Sequence, residues 1–262
     1  MKTNPVLFSA SELLTAYSNK TLSPVEVTKS TLDHIANYNE KVNAFRFVDE
    51  EKALENARAS EERWSQGTPA GLVDGIPTTI KDLVATEGWS TRRGSLTTND
   101  KGPWDEDAPL VARLRSNGAV LLGKTTTPEF GWKGVTDSPL TGITRNPWDL
   151  TKTPGGSSGG AAAAAAACFG ALHHGSDGGG SIRMPSGYTG IYGLKPTFGR
   201  VPTWPASGFG TLSHQGPMTR TVNDAALMLT VMSEPDSRDW YALPEKNYDW
   251  RKSIGKTVKG WR

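Results

Sequence analysis

Glycines crowd one stretch of this chain. Of 29 glycines in 262 residues, most of the close-set ones fall between Gly155 and Gly199 without a repeating period, so an unusual backbone is expected there. The stretch opens with Gly155-Gly156-Ser157-Ser158-Gly159-Gly160 and runs straight into alanines 161 to 167, which should be helical on propensity alone. A flexible linker is the bland reading, but linkers sit between domains, and this one opens a helix whose small surface lets neighbours approach closely. Two serines at a helix start also suit a cap, so the motif alone leaves structure and chemistry both open. Further on, Gly178-Gly179-Gly180 directly precede Ser181. Successive glycines can turn several N–H groups toward one point, as an oxyanion hole needs, with Ser181 beside it. A tight turn between strand and loop is the competing reading.

The segments before this stretch read as ordinary elements. Ser9 to Glu12 and Ser23 to Glu26 have capping-box spacing, and Pro24 falls at a first helical position, so two helices should start there. Val27, Leu32 and Ile35 recur among polar residues after Ser23, and a charged stretch from about Asp49 to Gln66 stops at Gly67. From Gly75 the texture changes. Ile76 to Lys81 is short and β-branched like a strand, Ala108 to Arg115 reads as helix, and Ala119 to Leu122 reads as a buried strand; this order predicts an α/β sheet. Residues 137 to 160, rich in Pro, Gly, Thr and Asn, predict a long ordered loop. At the end, Ile254, Val258 and Trp261 lie among basic residues between Lys252 and Arg262, as if a strand were beginning.

Charge and composition exclude several function classes. The formal net charge of +2 comes from 29 basic and 27 acidic residues spread along the chain, so neither nucleic acid nor a membrane surface is an expected partner. Cys168 is the single cysteine, which rules out an internal disulfide and fits a reducing compartment; a cytoplasmic location is the expectation. Without CxxC or HxxxH spacing, no metal site is expected, and no cofactor is called for. The N-terminus lacks the apolar run of a secretory signal, and the weakly polar run from Ala161 to Leu172 is well short of the ~20 residues that span a bilayer.

A serine nucleophile needs a base, and a phosphate-loop look-alike needs ruling out. Gly118 to Thr125 matches GxxxxGK[ST], but the four residues that should wrap phosphates are themselves strand-like, so nucleotide binding is not expected. Of the histidines, His34 lies on an amphipathic helix far upstream, and His173-His174 follow the alanine helix, where capping carbonyls or packing explains them. His214 is the one histidine that could serve a Ser-His-acid triad. Lys81 closes an apolar, strand-like run, where burial would lower its pKa and let a neutral amine act as base; a solvated lysine paired with Asp82 is the alternative.

Together these segments resemble the amidase signature family, amidohydrolases that use a Ser-cisSer-Lys triad. The resemblance runs through Asp74 to Asp82, Thr144 to Trp148, the Gly155 to Gly160 loop, Gly175 to Thr197, and Gly216 to Arg220, in that order. It implies an α/β fold with a mixed central sheet flanked by helices: one domain, with N-terminal helices over about 9–66, a catalytic core over about 70–232 and a polar tail over 233–262. It also implies that Ser181 is the nucleophile, Ser157 the serine held through a cis peptide bond, and Lys81 the base, with Ser157 favoured over Ser158 by the family spacing. In the implied scheme Lys81 takes a proton from Ser157, Ser157 takes one from Ser181, and the oxyanion settles on the amides of Gly178, Gly179, Gly180 and Ser181.

This chain departs from the family pattern in two ways. Gly178 stands where threonine is common, which loosens the loop without removing a backbone donor. Family members also continue beyond this length, so the C-terminal part of the domain is expected to be missing and a raw sheet edge to be exposed. The implied activity is hydrolysis of a small-molecule carboxylic amide to acid and ammonia or amine. Its rivals are the glutaminase component of glutamyl-tRNA(Gln) amidotransferase and an inactive fragment or scaffold; a homodimer is left open. Gly187-Tyr188-Thr189-Gly190 and Pro202 to Pro205 differ from the pattern usual in that glutaminase, which favours a free-standing amidase.

Overall fold

Both capping boxes are formed in the computed structural model, which describes residues 4–244 and 248–261. Ser9 and Glu12 exchange side-chain and backbone hydrogen bonds to start α1 (Ala10–Ser18), and Ser23 and Glu26 do so for α2 (Pro24–Val42). Pro24 sits in the first turn, where its missing N–H would have had no intrahelical partner. After β1 (Phe45–Val48), Asp49 caps α3 (Glu50–Gln66), which Gly67 closes at a φ of 73°, in the left-handed region that favours glycine. The inward faces of α2 and α3 meet the sheet: Leu32, Ile35, Ala53 and Ala57 pack with Val120, Leu122 and Phe169.

The strand, helix, strand order read after Gly75 is present as β2 (Pro77–Lys81), α4 (Pro109–Ser116) and β3 (Val120–Thr125). Every residue of β2 and β3 is buried, as expected of parallel strands covered on both faces. The long loop contains a small hairpin of β4 (Asp137–Ser138) and β5 (Gly142–Ile143) before α5 (Gly159–Ala166). Then come β6 (Leu172–Asp177), α6 (Arg183–Thr189), β7 (Tyr192–Gly193), β8 (His214–Thr219) and α7 (Val222–Met232). The sheet order is β1-β3-β2-β6-β8-β7, with β3, β2 and β6 parallel and the remaining neighbours antiparallel. It is the mixed sheet with flanking helices that the sequence predicts.

Two packing layers place the site. On one side α1, α4 and α7 join Ile76, Ile80 and Leu121 of the sheet in the largest apolar cluster. Elsewhere α5 runs with Ala161 to Ala165 fully buried, and its small residues are needed: a Cβ on Gly160 would collide with the Thr126 backbone nitrogen. Overpacking of this kind typically costs about 1–3 kcal/mol.

Three expectations change. No strand forms between residues 252 and 261; instead Asp249 accepts from the Arg251 amide and starts a 3₁₀ turn over Trp250–Ser253, leaving Val258 and Trp261 exposed. That local cap, and the Trp250 amide bonded to Thr230 of α7 at 3.1 Å, outweigh the alternation, and Arg262 lies outside the described residues. His173 and His174 do not cap α5 but lie on β6, fully buried, because the helix ends at Cys168 with a positive φ of 59° and the chain turns into the sheet. Where the GxxxxGK[ST] pattern ends, Gly123-Lys124-Thr125 stay within β3, and Lys124 is buried rather than turned to a ligand.

Candidate active site

Lys81 ends β2 with its side chain fully buried, and its ammonium nitrogen finds only hydroxyls. Nζ lies 2.7 Å from Ser157 Oγ, 2.8 Å from Ser158 Oγ and 3.0 Å from Ser176 Oγ. Burial pulls the amine down to about 7, and the Asp177 carboxylate opposes that only in part. The charged amine can donate to all three hydroxyls. The neutral amine has two protons and a lone pair, so one hydroxyl must then donate to it.

Two glycine loops carry the serines. The Gly156–Ser157 peptide is cis, and a Cβ on Gly156 would meet the Val135 backbone at 2.7 Å, so only glycine fits there. Ser158 donates its amide to the Ser181 carbonyl at 3.2 Å, which ties one loop to the other. Ser181 is half-buried, and among the described residues its hydroxyl makes no hydrogen bond. Ser157, Ser176 and Ser181 line one cavity of about 640 Å³ together with Gly178 and Gly179.

The glycine loop differs from expectation at one amide. Gly180 donates to Asp177 Oδ1 at 2.6 Å and so does not face the cavity as a free donor. Asp177 also accepts from the Ile182 amide and from the Arg183 guanidinium at 3.0 Å. Burial alone would raise this carboxyl, but the guanidinium and these amides outweigh it and hold it at about 2. Asp177 is therefore an anchor that shapes the loop. The amides of Gly178, Gly179 and Ser181 have no acceptor among the described residues, and these three are the donors left for an oxyanion.

The histidines stand elsewhere. His34 Nε2 meets the Ala167 carbonyl at 2.9 Å, and His214 Nδ1 meets the Leu212 carbonyl at 2.8 Å; neither bonds a serine. His173 pairs with Thr79 Oγ1 at 2.9 Å. Among the described residues no group of acids, histidines and cysteine gathers as for a metal ion, and no helix is long and apolar enough to cross a membrane.

Sequence reasoning missed Ser158 and Ser176 as partners of Lys81, and it missed the aromatic wall. Trp132 stacks on Phe209 with ring centroids 5.3 Å apart at 21°, and both line the cavity with Trp104 and Trp204. Nothing in the sequence puts residue 132 beside 209. The period-two rule does place Ser176 on one face of β6, but only the strand order brings that face to Lys81.

A mixed sheet with a buried lysine among serines on two glycine loops is the architecture of a known class, and comparison identifies it. The chain belongs to the amidase family, whose profile matches residues 26–262. It is 40% identical over 255 residues to the first, or A, component of the glutamyl-tRNA(Gln) amidotransferase of Pediococcus pentosaceus, covering 97% of this chain and 52% of that protein. It is equally 40% identical over 255 residues to an acylamidase of Rhodococcus erythropolis, covering 97% of this chain and 53% of the relative. A bacterial aryl acylamidase of the amidase signature family has a TM-score of 0.85 at 36% identity, over 95% of this chain and 52% of the other. The chain thus spans about half the length of the relatives it matches.

Proposed function

We propose that this chain carries the serine chemistry of an amidase that hydrolyses a carboxylic amide to an acid and ammonia or an amine. Ser181 is the nucleophile, Ser157 the proton relay and Lys81 the base. The observation that carries this reading is the 2.7 Å contact between Ser157 Oγ and a fully buried Lys81 Nζ whose pKa is drawn down to about 7. Neutral Lys81 accepts the Ser157 proton, Ser157 accepts that of Ser181, and the Ser181 oxygen bonds to the amide carbon. The developing oxyanion is met by the amides of Gly178, Gly179 and Ser181. Returning the proton to the nitrogen breaks the C–N bond, and water then cleaves the acyl-serine ester to acid and free Ser181.

A free-standing amidase is favoured over an amidotransferase component by the cavity wall. Its stacked Trp132 and Phe209, with Trp104, Trp204 and Leu212, suit an apolar or aromatic amide, whereas glutamine brings a carboxylate and an ammonium group that need charged partners. The 40% identity to an acylamidase agrees with this choice, although the amidotransferase component is equally similar. A fluorophosphonate probe tests the reading: the chain should be labelled covalently, and Ser181→Ala should abolish labelling. Failure of the unaltered chain to label overturns it.

A further inference from the structure

β6 grips Lys81 at both ends. The parallel ladder between β2 and β6 pairs Thr78 with Leu172 and Thr79 with His173, and no pairing continues to Lys81. There the Lys81 backbone N–H donates instead to Nδ1 of His174, at 3.4 Å. Two residues on, and on the same face of the strand, Ser176 takes the other end of the lysine at Nζ. The imidazole is fully buried, and its Nε2 lies 2.9 Å from Oε1 of Gln215 on β8.

These contacts determine the tautomer. Nδ1 must carry a lone pair to accept from the Lys81 amide, so the ring proton sits on Nε2 and is donated to an oxygen. That consumes Gln215 Oε1 and turns the carboxamide NH₂ away from the histidine. Gln215 lines the serine cavity, and its NH₂ has one further contact, Ser213 Oγ at 3.5 Å, a long and weak one. The groups facing His174 keep it uncharged: burial comes first, and Lys81 on β2 and Lys124 on β3 repel a second proton, while the Gln215 contact opposes them.

We propose that His174 is a positioning residue that fixes the Lys81 backbone, and that through it Gln215 presents an NH₂ donor to a carbonyl, ether or hydroxyl oxygen of the amide substrate. This rests on the amidase reading above. Packing alone would not need both ring nitrogens satisfied by these particular partners.

The two contacts can be separated, because an asparagine side chain places its oxygen near the Nδ1 position and a glutamine places its NH₂ near Nε2. His174→Asn keeps an acceptor for the Lys81 amide and releases Gln215. His174→Gln keeps a donor to Gln215 and leaves the Lys81 amide unpaired. With a fluorophosphonate bearing an ether-containing chain, His174→Gln should lower the maximal labelling rate of Ser181 roughly tenfold. His174→Asn should hold that rate and raise the half-saturating probe concentration, as should Gln215→Met. Equal effects of the two His174 variants on both constants would overturn the proposal. An arm independent of activity is the imidazole ¹⁵N NMR spectrum of the full chain, expected to show Nε2–H and an unprotonated Nδ1 from pH 8 down to pH 5. The opposite tautomer, or an imidazolium in that range, overturns it even if no labelling occurs, whereas absent labelling with the expected tautomer sinks the amidase reading instead.

Discussion

Lys81 and Lys124 lie on neighbouring strands of one sheet, both fully buried and both drawn down to about 7 by burial, yet their surroundings fit them for different work. Lys81 meets three serine hydroxyls beside a cavity. Lys124 pairs across the ladder with Ile80 rather than Lys81, and it donates to the Val84 carbonyl and to Thr91 Oγ1 at 3.0 Å. Beside it, Asp82 holds Arg46 at 3.0 Å. A carbonyl has no proton to give. A depressed lysine pKa therefore does not make a base; a neighbouring hydroxyl that can pass its own proton does.

The comparison breaks first at Lys81. Lys81→Ala should reduce amide turnover or fluorophosphonate labelling by roughly a thousandfold or more, because both the base and its contacts are lost. Lys124→Met should lower either rate by less than tenfold. Equal losses from the two would erase the distinction.

Stability against pH tests what the two lysines share. Each has a folded pKa near 7 against an ordinary value of 10.5, so between these limits the unfolded chain binds more protons. Stability contributed by these groups is therefore fully present above the upper limit and falls as pH drops toward 7, at about 1.4 kcal/mol per pH unit per lysine. Urea unfolding between pH 7 and pH 9 should show stability rising with pH, and Lys124→Met should remove about half of that rise. A slope unaffected by the substitution would place the charge elsewhere. Over the same range the labelling rate of the unaltered chain should climb through a midpoint near 7 as Lys81 loses its proton.

Smaller effects sharpen the environment of Lys81. Ser158→Ala removes one acceptor of the charged amine, so the labelling midpoint should move to lower pH, with a rate change of roughly twofold to tenfold. Trp132→Ala should weaken binding of aromatic amides several-fold while sparing small aliphatic ones, read as a ratio of KM values.

How far the sequence reveals this molecule depends on whether a contact is local. The Ser9 and Ser23 caps, the stop at Gly67 and the strands around α4 follow from spacing within a few residues, and all are present. Ser181 could be singled out from its adjacent glycines. The grouping of Lys81 with Ser158 and Ser176 could not, because it depends on β6 lying next to β2 across a long stretch of chain, as the 95-residue separation of Lys81 and Ser176 records. The Gly180 amide departs from expectation for a related reason: backbone donors in a glycine run look equivalent until a carboxylate such as Asp177 claims one. The tail misleads through alternation, which favours a strand only if a partner strand is at hand.

The alanines of α5 have a consequence for anyone altering this protein. A helix clad in methyl groups works as a spacer of set thickness between the sheet that bears Lys81 and the loop that bears Ser157. A bulkier residue there would act as a shim, widening the 2.7 Å gap across which the proton must pass. Libraries meant to reshape substrate choice should therefore spare α5 and concentrate on the aromatic rim, where side chains can change size without moving the reacting groups.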